Sequence, residues 1–163
     1  MRASAVCSIA FLVAASFGCG DDPGPVPLEP TYDNVEAVLT RSCTFSIACH
    51  GGPGSGQANL NFTATEDMTT VLNGVSACQY DRMPRVDPEH PESSWLMVKI
   101  DGTHDEMGTI QFTPDADWTP PAGSDCEDFG VLMPLGIGAP SPLAMDEVEM
   151  IREWIRLGAP GPS

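Results

Sequence analysis

The sequence predicts a small, mostly α-helical domain interrupted by long loops. Two observations carry that expectation. Segments with helical apolar spacing stand at both ends of the region from 31 to 160. Glycine and proline, 16 of each in 163 residues, make up about a fifth of the chain, so much of the fold must be loop.

The first segment, "TYDNVEAVLTRSC", has a capping signal in Asp33 with Glu36 three residues on, and sets Tyr32, Val35, Val38 and Leu39 along one face. It predicts a short amphipathic helix that delivers Cys43 at its end. "TEDMTTVL" predicts a weaker helix capped by Thr65, with Met68, Val71 and Leu72 inward. In "HPESSWLMVKIDG", Pro91 suits a first helical turn and Gly102 a stop. The clearest helix runs from about Met145 to Leu157, with Met145, Val148, Ile151, Trp154 and Ile155 as its inward stripe. Asp146 and Glu147 favour its start, Arg152 and Arg156 its end, and Gly158 stops it. Residues 103–142 show little regular pattern. A loop of that length in one domain is commonly functional or pinned, and this one holds Cys126 and the pair Met133-Pro134.

The N-terminus sets the compartment. Arg2 precedes an apolar run from Ala5 to Phe17, followed by "GCGDDPGPVP". The run is shorter than the roughly 20 residues of a bilayer-spanning helix, so residues 1–18 read as a signal segment. "SFGC" resembles the lipobox of bacterial lipoproteins, with Gly18 before a lipidated Cys19, although Ser16 stands where that pattern usually has Leu. An ordinary secretory signal cleaved nearby is the alternative. Residues 19–30, with four prolines, read as an extended tether, and 31–160 as one domain.

Removing residues 1–18 takes away Arg2 and no acid, leaving 6 basic against 23 acidic residues. That balance disfavours nucleic acid. It suits either a well-solvated surface or steering toward a basic partner. Lys99 is the single lysine.

After export, Cys43, Cys49, Cys78 and Cys126 remain besides Cys19, and disulfides are the default for exported cysteines. Four cysteines allow three pairings. If Cys43 and Cys49 are otherwise occupied, Cys78 with Cys126 is the remaining pair. "SCTFSIACHGG", residues 42–52, admits three chemistries: haem attachment, a small disulfide loop, or zinc held by both thiolates with His50.

Taken with "LMP" and the closing "VEMIREWIRLGA", the segment "CTFSIACHGG" resembles the class I cytochrome c domain. It is most similar to cytochrome-like lipoproteins of Gram-negative bacteria, whose later parts "RVDPEHPESSWLMVKI" and "EWIRLGA" match. The resemblance covers about residues 32–159. It implies a cytochrome c-like helical domain with one covalent haem c, thioethers at Cys43 and Cys49, His50 as proximal iron ligand and Met133 as distal ligand. Such a protein carries electrons between redox partners and is not a catalyst, because both axial positions are filled. It would sit in the envelope, facing the periplasm or on the outer surface, held to the membrane by lipid on Cys19. The cysteines here are five residues apart, where the family's motif has two. A haem-free, disulfide-stapled module of the envelope is the competing reading.

Met83-Pro84 is a rival Met-Pro pair. His90 and His104 lie in polar surroundings and read as exposed. Arg85 suits either a haem propionate or a surface ion pair, and Trp95 and Trp154 read as packing residues. No Ser-His-Asp set, phosphate loop or paired carboxylates stand out, so hydrolytic and transferase chemistry have no support.

Overall fold

The structure is a computed structural model that describes residues 28–46, 48–121, 126–136 and 140–163. The signal segment, Cys19 and most of the tether lie outside the described residues. Four α-helices are present among them: α1 (Tyr32–Cys43), α2 (Thr69–Leu72), α3 (Trp95–Asp101) and α4 (Met145–Arg156).

α1 and α4 form as their apolar spacing predicts, and they bury that spacing against each other. Val35 and Leu39 of α1 and Ile151, Trp154 and Ile155 of α4 are all fully buried. Each such side chain contributes about 1.5–3 kcal/mol through removal from water. The α1 cap is Thr31, whose Oγ1 accepts from the Asn34 N–H, and not Asp33, which lies in the first turn. In α4 the Glu147 carboxylate reaches back to the Ala144 N–H. Met145 is exposed, and Met150 takes the buried place expected of it.

The expectation of a mostly helical, cytochrome c-like domain is not met. Helical segments account for 34% of the described residues and strand pairing for 8%, with long loops between. The physical reason lies in the middle of the chain, where side chains satisfy backbone groups before a helix can propagate. Thr65 Oγ1 accepts from the Asp67 N–H and Asp67 Oδ1 from the Thr69 N–H, so α2 is held to one turn and Thr65 does not cap it. Ser94, fully buried, accepts from the Asp87 N–H and donates to the His90 carbonyl. It splits the segment after His90 into a 3-10 turn (Pro91–Ser93) and α3. The long loop is stitched by isolated bridges, His104 to Ile110, Thr109 to Val131 and Leu135 to Pro140.

Two cores result. The larger unites α1, α2, α4 and part of α3. The smaller is aromatic: Tyr80 and Trp95 are buried, with Phe112, Trp118 and Phe129 packed on them at ring separations of 4.9–6.4 Å from Tyr80. Beside it, a disulfide joins Cys78 to Cys126, with Cα atoms 5.5 Å apart. No helix among the described residues is long and apolar enough to cross a membrane. The disulfide is compatible with an exported protein.

Candidate functional site

A cavity of about 180 Å³ opens at the end of α1. Cys43, Cys49, His50 and Met133 all line it, together with Phe45, Gln79, Lys99 and Pro134. Residues separated by up to 90 positions in sequence thus meet at one place. The described loop backbone explains how.

The wide spacing of the two cysteines becomes a loop that closes back on the helix. The His50 N–H donates to the Cys43 carbonyl at 2.9 Å, and the Cys49 N–H to the Ser46 carbonyl at 3.0 Å, so the second cysteine and the histidine return to the end of α1. Gly51 permits this closure. A Cβ there would lie 2.7 Å from the Thr44 carbonyl oxygen, closer than any side chain tolerates. On the opposite wall, the Met133 N–H donates to the Lys99 carbonyl at the end of α3. That bond fixes where the long loop crosses the cavity.

His50 is oriented by two acceptors. Its Nδ1 lies 3.1 Å from the Gln57 carbonyl and 3.2 Å from the Leu60 carbonyl. Carbonyl oxygens only accept, so Nδ1 carries the proton. Burial lowers the pKa of the ring, with the Lys99 and Arg85 charges acting in the same direction against the two carbonyl bonds. The neutral tautomer therefore leaves Nε2 with its lone pair unprotonated, the form that ligates a metal. The Phe62 ring meets the imidazole edge-on at 5.9 Å.

Both cavity cysteines are thiols. Cys43 is buried and Cys49 half-buried, and they do not bond to each other. Burial pushes the Cys43 thiol up to about 12, with Cys49 adding to the shift, so it stays protonated at neutral pH. Cys49 Sγ lies 3.3 Å from Ser46 Oγ. Among the described residues no three His, Cys, Asp or Glu side chains gather as a single metal ion would need, so the zinc grouping of Cys43, Cys49 and His50 does not form.

The rival candidates fall elsewhere. Met83 packs on the aromatic core and is not a lining residue of this cavity. His90 and His104 are exposed. Trp154 is fully buried in the larger core and Trp95 in the aromatic one. Arg85 is half-buried and donates to the Val71 and Asn59 carbonyls at 2.8 Å each. Among the described residues no carboxylate pairs with it.

Lys99 and Gln79 were not legible as cavity residues. The available signal was a lysine four residues after Trp95 in the apolar run "WLMVKI", which places its side chain on the same face as a buried tryptophan.

Comparisons with protein-family models, with curated proteins and with solved structures find no match to this chain.

Proposed function

We propose that this chain is an exported electron carrier that holds one haem covalently through Cys43 and Cys49, with His50 and Met133 as its axial ligands. The observation that supports this reading is the convergence of those four side chains on one cavity, with His50 held as the tautomer that ligates through Nε2.

The donor set fits the group. Thioether formation needs thiols, and both cysteines are thiols. Cys43 and Cys49 would hold the group as thioethers, a linkage in which S–H adds across a carbon–carbon double bond and which needs no oxidant and no leaving group. The competing disulfide would consume the same two thiols. A His–Met pair supplies nitrogen and sulfur and favours reduced iron. The cavity is smaller than the roughly 300–1,000 Å³ of common ligand sites, so loading must widen it. Phe45 and Leu135, both exposed at its lining, are the side chains with room to move.

When bound, haem would supply a one-electron couple at the iron. The chain's residues would hold it by two covalent bonds, keep the imidazole from rotating through the Gln57 and Leu60 carbonyls, and present the Met133 sulfur from a loop fixed to α3. With His50 and Met133 both engaged in holding the group, the chain would offer no further ligand for a substrate, and electron transfer to a partner protein is the role proposed. The surplus of acidic residues suits a partner with a basic face. The Gly18-Cys19 sequence supports a lipid anchor in the envelope of a Gram-negative bacterium.

The decisive experiment is expression alongside a cytochrome c maturation system, followed by intact mass and visible spectrum. The polypeptide is expected to gain one haem that resists acid-acetone extraction. A colourless product carrying a Cys43–Cys49 disulfide refutes the proposal and leaves a structural module of the envelope.

A further inference from the structure

Lys99 is the chain's single lysine, and it is only 8% exposed. Lysine is almost never that buried without a charged partner. Yet among the described residues no carboxylate lies within ion-pair distance of it. Its one hydrogen bond goes from Nζ to the Phe129 carbonyl at 2.8 Å, which leaves two of its three N–H donors uncommitted. Asp128 influences Lys99 only at longer range, and its carboxylate accepts from the Gly130 N–H at 2.9 Å.

A second donor stands beside it. The Trp95 indole N–H donates to Gln79 Oε1 at 3.2 Å, which fixes the amide so that its NH₂ turns the other way. Gln79 Nε2 and Lys99 Nζ lie 2.7 and 3.1 Å from the point where a Cβ on Gly130 would sit. Gly130 has φ +66°, and its bare Cα keeps that space open. Both residues line the cavity, whose other walls include Cys43, Phe45, Met133, Pro134 and Leu135.

From this we infer that Lys99 Nζ and Gln79 Nε2 form a carboxylate-binding pair in the cavity wall, built for an apolar group that carries a carboxylate. An ammonium and an amide NH₂ offer charge-assisted bonds to the two oxygens of one carboxylate, and the apolar wall takes the body of the ligand. The identification of that ligand as haem, whose propionates are its carboxylates, rests on the proposed function. The pair itself does not.

Benzoate and benzamide, titrated into the full chain expressed without a maturation system, test the pair directly. An empty apolar cavity of about 150 Å³ admits benzene, so either probe has room. Calorimetry, with the Trp95 indole N–H followed by NMR, is expected to show benzoate binding at least tenfold more tightly. Lys99→Met should abolish the preference, Lys99→Arg should retain it, and Gln79→Leu should reduce it. Equal affinity for the two probes, binding of neither, or a preference that survives Lys99→Met overturns the inference. Should Lys99→Met fail to fold, Gln79→Leu decides: an unreduced preference overturns the pair. In the haem-loaded chain, Lys99→Met should lower the midpoint potential and Lys99→Arg should not, because an uncompensated propionate stabilises ferric iron; an unchanged potential in Lys99→Met counts against the pair. A chain that takes up no haem yet prefers benzoate refutes the cofactor and supports the pair. A haem-loaded chain whose cofactor-free form binds both probes alike does the reverse.

Discussion

Breaking the Cys78–Cys126 disulfide tests whether the cavity's second wall is held by covalent closure or by packing alone. The two cysteines are 48 positions apart, and the segment between them contains Gln79, α3 with Lys99, and most of the aromatic core, Tyr80, Trp95, Phe112 and Trp118. Closing a loop of that length removes denatured-state entropy equivalent to about 4 kcal/mol at 25 °C. Against the roughly 5–15 kcal/mol of a typical domain, that is a large share. The double variant Cys78→Ala/Cys126→Ala should therefore lose about 4 kcal/mol in urea denaturation followed by far-ultraviolet circular dichroism. Cys126 is 1% exposed, so its truncation adds a small packing loss of its own. Wild-type protein reduced with dithiothreitol keeps the sulfur atoms and separates the two effects: its loss should come close to that of the double variant. Local consequences should follow the chain outward from the bridge. Gln79 adjoins Cys78, and Phe129, whose carbonyl accepts from Lys99, follows Cys126 by three residues. Amide exchange should rise around 126–132 and much less in α1, which packs on α4. A loss below about 1 kcal/mol, or uniform exchange across α1 and the loop, would refute the reasoning and show that the aromatic core alone sets this wall.

Two further outcomes are expected. In the haem-loaded chain, Met133→Ala should open the sixth position, lower the reduction potential and abolish any sulfur-to-iron absorption band while the haem stays attached; Met83→Ala should do none of this, since Met83 packs on the aromatic core. If the reverse is seen, the ligand assignment moves to the other Met-Pro pair. A palmitate analogue should label the wild-type chain in cells but not Cys19→Ser, and an unlabelled, freely released wild type would end the lipoprotein assignment.

How far the sequence could be read depended on whether a local pattern was also the tertiary answer. α1 and α4 were legible because their apolar residues recur at helical spacing and the same residues, Val35, Leu39, Ile151, Trp154 and Ile155, pack each helix on its partner. The helical class failed because composition says that loops exist without saying how they are organised. Thr65, Asp67 and Ser94 bind nearby backbone groups, and each such bond ends or prevents a helix that apolar spacing alone would extend. Met145 was placed inward by spacing from Val148. As the first helical residue it has no preceding turn to cover it, and it is exposed.

The site divides along the same line. Cys43, Cys49, His50 and Met133 were singled out through the family resemblance, yet no spacing rule could say that the chain would return to the helix end across a five-residue gap. That outcome follows from the His50 N–H returning to the Cys43 carbonyl, and it depends on Gly51 having no side chain. The His50 bond places the second cysteine and the histidine back at the end of α1. Lys99 was hidden for the opposite reason. A lone lysine on an acidic chain reads as solvated, and here it is enclosed because α3 turns it onto the face of Trp95. Its enclosure has a cost as well as a use. Burial lowers its pKa to about 8, so the ammonium is held at neutral pH against a desolvation penalty that the Asp128 charge offsets only in part. A carboxylate arriving over Gly130 would relieve that penalty, and so binding there and stability of the enclosed charge are coupled in one pair of residues.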